Sequence, residues 1–159
     1  MSRHVVVVAP WLPLPADFGG ALRTYNLVRE LARHDEVTLL CPARPDELSH
    51  ALELGSVCNV TTVPARWTPR HPANPGKRLQ QLRSIGSRRS FVELSTWSEQ
   101  LQRVFERLFL TTRVDLVQYE STRMALFRPP APCPTVVDAH DVEAELLRRV
   151  ARSSARDVE

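Results

Sequence analysis

Cysteine is scarce in this chain. Three are present, Cys41, Cys58 and Cys133, and no two form a C-x-x-C pair. That argues against a structural zinc site, a thioredoxin-like redox centre and a disulfide scaffold. Cys41 and Cys58 lie in apolar runs, so buried free thiols in a reducing cytosol are expected. No apolar run is long enough to span a bilayer: Val5–Leu14 is interrupted by two prolines. No small-residue cleavage site follows it, which speaks against a secretory signal. Neither G-x-G-x-x-G nor G-x-x-x-x-G-K-[ST] occurs, which weakens NAD, FAD and ATP readings. Lysine is nearly missing as well, Lys77 being the one lysine among 21 basic residues.

What is present is ordinary for a folded domain. The 159 residues fall within the roughly 100–200 expected of one domain. Apolar residues make up 43% and charged residues 25%, which excludes a wholly disordered tail or a collagen-like repeat. The net charge of +3 is unevenly spread. From Gly55 to Val92 there is no acid, yet Arg66, Arg70, Lys77, Arg78, Arg83, Arg88 and Arg89 lie there. The rest of the chain is therefore net acidic. A local basic stretch suits an anionic membrane or a phosphate-rich partner, or is simply a solvated loop. Nucleic acid is not expected, since Trp67 is the one interleaved aromatic and no known module is present.

The order of elements points to an open parallel sheet. His4–Ala9 carries four consecutive valines, the mark of a strand covered on both faces. After Pro10–Pro15, Gly19-Gly20 opens a helix whose apolar positions are Ala21, Tyr25, Val28, Leu31 and Ala32. Further strands are predicted at 37–41, 57–63, 114–119 and 135–138. Helices are predicted at 45–54, from an N-cap at Ser95, at 121–127, and from Val142 onward. The stripe of the Ser95 helix is Trp97, Leu101, Val104 and Leu108. A long loop is expected from Pro64 to Gly76. Strands alternating with helices imply a Rossmann-like, doubly wound α/β fold with helices on both faces. The strand order expected is 3-2-1-4-5.

Ligands of such sheets gather at the carboxyl ends of the strands, and three motifs fall there. In Pro13-Leu-Pro-Ala-Asp-Phe-Gly19-Gly20-Ala-Leu-Arg23-Thr-Tyr25, adjacent glycines permit positive φ and close approach of a ligand to backbone. The helix N-terminus that follows would suit a phosphate; a tight turn without a ligand is the plainer reading. In Asp138-Ala-His140-Asp141-Val-Glu143, His140 could donate to a sugar hydroxyl or phosphate. Asp141 could cap the helix, and Glu143 would favour its dipole. A dinuclear metal site would need further His, Asp and Asn ligands that the sequence does not supply at strand ends. In Tyr119-Glu120-Ser121-Thr122-Arg123-Met124, Glu120 could orient a hydroxyl, pair with an arginine, or stand solvated.

Taken in order, five motifs resemble the N-terminal half of family 4 glycosyltransferases of the GT-B fold. They are Pro13 and Pro15, Gly19–Tyr25, Glu36–Leu40, Tyr119–Met124 and Asp138–Glu143. The resemblance covers nearly the whole chain apart from residues 64–90. It implies that residues 1–159 are the acceptor-side domain of a two-domain retaining transferase. A second domain, outside this sequence, would hold most of the nucleotide-sugar donor. No metal or other cofactor is implied. By the same resemblance Gly19 and Gly20 approach the donor diphosphate, and His140 contacts the donor sugar near the reacting carbon. Arg23, Tyr25, Glu120, Met124, Asp141 and Glu143 fall on the acceptor side.

The acceptor implied is a glycan or lipid-linked hydroxyl at the cytoplasmic membrane face, in polysaccharide biosynthesis; residues 66–89, in the region where the family varies, are expected against anionic lipid or an acceptor phosphate. The family's paired glutamates at E-x7-E spacing do not occur in this chain, so the 159 residues alone are expected to give no turnover. Two other functions remain open. One is a non-catalytic Rossmann-like binding or interaction domain. The other is a different sugar-nucleotide enzyme of the same two-domain plan, such as an epimerase.

Overall fold

The computed structural model describes residues 2–65, 77–87, 90–139 and 148. Five parallel strands form one sheet in the order β3-β2-β1-β4-β5. They are β1 (His4–Val8), β2 (Glu36–Ala43), β3 (Asn59–Pro64), β4 (Leu116–Glu120) and β5 (Thr135–Asp138). The helices are α1 (Gly19–Leu31), α2 (Leu48–Leu54), α3 (Lys77–Ile85), α4 (Phe91–Thr96) and α5 (Glu99–Thr111). The fold is the Rossmann-like α/β arrangement expected from the alternation of strands and helices.

The four valines explain why β1 is central. Every residue of the strand is buried, because successive side chains point to opposite faces and both faces are covered. Val6 and Val8 face one layer, where Leu101 and Phe105 of α5 pack on them together with Val117 and Tyr119. Val5 and Val7 face the other, against Val28 of α1 and Leu54 of α2. Helices therefore cover both sides of the sheet. β1 pairs with β2 on one side and β4 on the other, so that Val7 lies between Leu39 and Gln118.

Polar contacts fasten the amino edge of the sheet. Arg3 Nε and Nη2 donate to the two carboxylate oxygens of Asp35, at 3.1 and 2.8 Å. These bonds hold the Asp35 carboxyl below its ordinary pKa. Asp115 accepts from the backbone N–H of His4 at 3.0 Å, which lowers its pKa too. The buried His4 ring lies 3.0 Å from the Arg113 carbonyl through Nδ1 and 2.8 Å from the Thr38 hydroxyl through Nε2. Burial pushes the Cys58 thiol up to about 11 and the Cys41 thiol further still. All three cysteines are free.

Three local readings change. Lys77–Ile85, within the basic stretch, is helical; its low apolar content and missing acids had hidden the period. The cap of the following helix is Ser98, whose hydroxyl accepts from the Leu101 N–H at 3.2 Å. Ser95 instead lies inside α4, which Ser90 and Glu93 close by a reciprocal capping box. Trp97 then falls at the break between two helices. It is half exposed and stacks on Phe127 with ring centroids 5.3 Å apart, while Phe105 takes the deepest place in the stripe of α5.

Candidate functional site

The amino end of α1 and the carboxyl ends of β4 and β5 meet at one edge of the sheet. Two side chains of α1 make the junction. Arg23 pairs with Asp138, the last residue of β5. Thr24 points inward and donates to Glu120 Oε2 at 3.1 Å. Gln118, two residues earlier on β4, donates to the other oxygen, Oε1, at 2.8 Å. Glu120 and Thr24 are fully buried. A carboxylate in that position must be hydrogen-bonded, since an unsatisfied one is strongly penalised.

Thr24 was not among the residues singled out from sequence. The signal was present: it falls three after Ala21 and four before Val28, and all three are buried on α1. A polar residue on a buried helical stripe needs a partner in the layer beneath.

The two glycines differ. A methyl group on Gly19 would meet nothing within 4 Å, whereas on Gly20 it would lie 2.8 Å from Trp11 Cζ2 and 3.2 Å from Phe18 Cε2. Gly20 is thus required by packing against the Trp11–Phe18 pair, whose rings meet edge to face at 5.3 Å. Gly19 borders open space. Neither glycine has positive φ, so the conformational freedom anticipated at this turn is unused. Its value is the missing side chain.

The amino end of α1 follows Asp17 and Phe18. Its N-cap, Phe18, provides no side-chain hydrogen bond, and the first turn contains no acid. Within the helix and at its cap, therefore, no side chain offsets the dipole or the first N–H groups. Close by, the buried indole N–H of Trp11 has no acceptor among the described residues. Such an end can hold an anion.

Backbone strain marks the same edge. Ser121, directly after Glu120, has φ 124° and ψ 144°. Side chains disfavour that region, and the cost is on the order of 1–3 kcal/mol. The Ser121 hydroxyl accepts from the Arg123 N–H at 3.3 Å, helping to hold the turn Thr122–Leu126 that follows.

The other candidates are distributed as follows. Met124 is buried in the core cluster under α5. Tyr25 packs partly into the opposite layer and lies under the Arg29 guanidinium, 5.6 Å from the ring centre. Gly19, Gly20 and Arg23 reach the edge, Arg23 with its side chain more than half exposed. His140, Asp141 and Glu143 lie outside the described residues. So do residues 66–76 and the pair 88–89 of the basic stretch.

A concavity of about 270 Å³ lies at the opposite, amino edge, lined by Asp35, Glu36, Cys58 and Asn59 among others. Ligands of open parallel sheets bind at the carboxyl edge instead, so the α1–β4–β5 junction is the better candidate. Among the described residues no cluster of three or more His, Cys, Asp or Glu could hold a metal ion.

No protein-family model matches the chain, and no curated protein matches it.

Among the described residues no helix is long and apolar enough to cross a membrane. The chemistry available at the junction is anion binding at the end of α1, beside a guanidinium and above a buried carboxylate. The hydrogen bonds of that carboxylate fix α1 on β4.

Proposed function

We propose that this chain is the acceptor-side domain of a retaining, nucleotide-sugar-dependent glycosyltransferase of the two-domain GT-B plan. The observation that carries the reading is the amino end of α1, opened by Gly19 and without an acid in its first turn, beside the strand ends that bear Glu120 and Asp138. Departure of a nucleoside diphosphate builds negative charge on its leaving oxygen. A helix N-terminus fixed in place stabilises such charge without reorganising. Arg23 adds a cation at the same edge, held by Asp138. His140 follows Asp138 by two residues in the sequence, and in this reading it contacts the donor sugar.

Glu120 acts in this proposal through α1. Its bonds to Thr24 and Gln118 hold the helix and its amino end in register with β4. Arg23 and the exposed edge beyond it remain to meet an acceptor hydroxyl. The donor is a nucleotide-sugar and the acceptor a glycan or lipid-linked hydroxyl, with no metal in the scheme.

A second reading draws on burial. Glu120 and Met124, two residues assigned to the acceptor side, lie inside the molecule. That favours a non-catalytic Rossmann-like binding domain in which the junction is structural.

Amide NMR titration of the chain with nucleoside diphosphate-sugars and with pyrophosphate separates the two. The transferase reading expects shifts confined to Gly19–Arg23 and the residues following Asp138, even without turnover. Shifts confined to the amino-edge concavity, or none up to millimolar donor, would overturn it.

A further inference from the structure

Trp97 is exposed yet held in place. It joins α4 to α5, and 43% of its surface is open to solvent. Its indole lies nearly parallel to the Phe127 ring, at an interplanar angle of 8°, and Phe127 is fully buried. The segment beneath the indole is fastened twice. Tyr119 donates its hydroxyl to the Phe127 carbonyl at 2.7 Å. The Gln102 side-chain amide accepts from the Arg128 N–H at 3.1 Å and donates to the Arg128 carbonyl at 2.8 Å. Phe127 covers one face of the indole, so the exposed area belongs to the other face and the ring edge. A singly exposed apolar side chain needs no explanation. A large flat ring fixed from beneath is different, because it offers a ligand contact area with little rotamer freedom left to lose.

Its place in the fold adds to this. α5 runs into β4 at the amino edge, where the Asp115 N–H donates to the His4 carbonyl. The 13 residues of α5 rise by about 20 Å. That carries its first turn, and Trp97 before it, to the carboxyl edge. α4 also packs beside Thr122–Leu126, the turn that leaves β4 at that edge. α5 and α1 cover opposite faces of the sheet. Trp97 and Arg23 therefore share the carboxyl edge but lie on opposite sides of it.

The border of the ring indicates the class of ligand. Glu99 pairs with Arg103, Glu93 closes the capping box of α4, and Gln100 and Arg128 are exposed. The charged groups near the indole are thus two of each sign. A phosphate-bearing ligand or an anionic bilayer would call for an excess of cations. An uncharged ring with an apolar face and hydroxyls around its rim suits both features. Its C–H bonds lie against the negative face of the indole, and its hydroxyls reach the polar border. A pyranose has that form.

We propose that the open face of Trp97 is a stacking platform for a hexopyranose ring of an uncharged oligosaccharide. The inference rests on the acceptor-side reading in assigning that saccharide to the acceptor, at a sugar remote from the reacting hydroxyl. Its test uses neither donor nor transfer.

The test is NMR of the indole N–H resonances of the 159-residue chain, titrated with maltohexaose, cellohexaose and mannohexaose. The chain has three tryptophans, and the Trp97 resonance is the one that disappears in Trp97→Tyr. That resonance is expected to shift saturably at millimolar sugar, while those of Trp11 and Trp67 stay in place. By calorimetry Trp97→Tyr, which keeps an aromatic face, should bind within a few-fold of the parent. Trp97→Leu, which covers Phe127 without a π face, should lose about tenfold in affinity. Should Trp97→Leu lose cooperative unfolding, the resonance in the unsubstituted chain decides. No saturable shift at Trp97 with any of the three sugars, or undiminished affinity in Trp97→Leu, overturns the proposal. So does a shift caused by uridine monophosphate and by no sugar, since the face would then take a nucleobase. Shifts at Gly19–Arg23 with pyrophosphate but none at Trp97 with sugar would remove the platform and leave the transferase reading standing. The reverse pattern would keep the platform and remove that reading.

Discussion

Thr24 of α1 donates its hydroxyl to Glu120 at the end of β4, across 3.1 Å of fully buried space. The two residues are 96 positions apart in the chain. Replacing Thr24→Val keeps the shape and removes the donor, so a buried carboxylate loses one partner. The expected loss is about 1–3 kcal/mol, read as a lower urea midpoint with an unchanged slope. Glu120→Gln, which retains hydrogen-bonding capacity, should cost less. Equal stability of Thr24→Val and the parent would show that this contact does not hold α1 in place.

The adjacent glycines should respond in opposite ways. Gly20→Ala drives a methyl group into Trp11, and overpacking of that kind costs about 1–3 kcal/mol. Gly19→Ala meets open space and should be neutral or stabilising by up to about 1 kcal/mol. If backbone at Gly19 receives a phosphate, the same substitution should lower pyrophosphate affinity while the melting temperature holds or rises. Calorimetry of binding and unfolding on the two variants provides both readings.

Ser121 is held at φ 124°. Glycine reaches that conformation without a Cβ clash. Ser121→Gly should therefore stabilise the fold by up to about 1 kcal/mol, after the unfolded-state entropy of glycine is set against the relief of strain. A drop in melting temperature would mean that the serine hydroxyl, which accepts from Arg123, outweighs the strain.

Acid should unfold the protein from its amino edge. The bonds from Arg3 depress the pKa of Asp35, and the His4 N–H depresses that of Asp115. A carboxyl with a lowered folded-state pKa contributes stability that is fully present above its unfolded value, about 3.9, and is lost as pH falls through the folded value. Asp35→Asn and Asp115→Asn should each be less stable than the parent at pH 7. The difference should shrink as the pH drops below about 4. Urea midpoints measured from pH 7 to pH 2 check this, and a constant gap would remove these carboxylates from the acid response.

Much of the fold was legible in the residues themselves. Four valines in succession specify a strand buried on both sides, and the spacing of Leu101, Val104 and Leu108 specifies an amphipathic helix, because both patterns are local consequences of backbone period. The alternation of strands and helices pointed to a parallel sheet, and the Rossmann-like order 3-2-1-4-5 expected for it is the one found. The helix in the basic stretch was not legible, since Leu79, Leu82 and Ile85 are too few among polar neighbours to declare a face directed at a core. The cap at Ser98 escaped because Ser90, Ser95 and Ser98 all satisfy the same local rule, and the folded chain uses Ser90 and Ser98 as caps while Ser95 lies within α4.

At the candidate site the sequence by itself supplied the glycines, Arg23, Glu120 and the Asp138 motif, and placed them at strand ends. The tertiary structure alone decided what each contributes. It made Gly20 a packing necessity and left Gly19 open, buried Glu120 under Thr24, and joined Arg23 to Asp138. The reason is physical: a backbone period is set by neighbours a few residues away. The partner of a buried polar group is set by which distant elements the sheet order brings together, and by the cost of leaving that group unsatisfied.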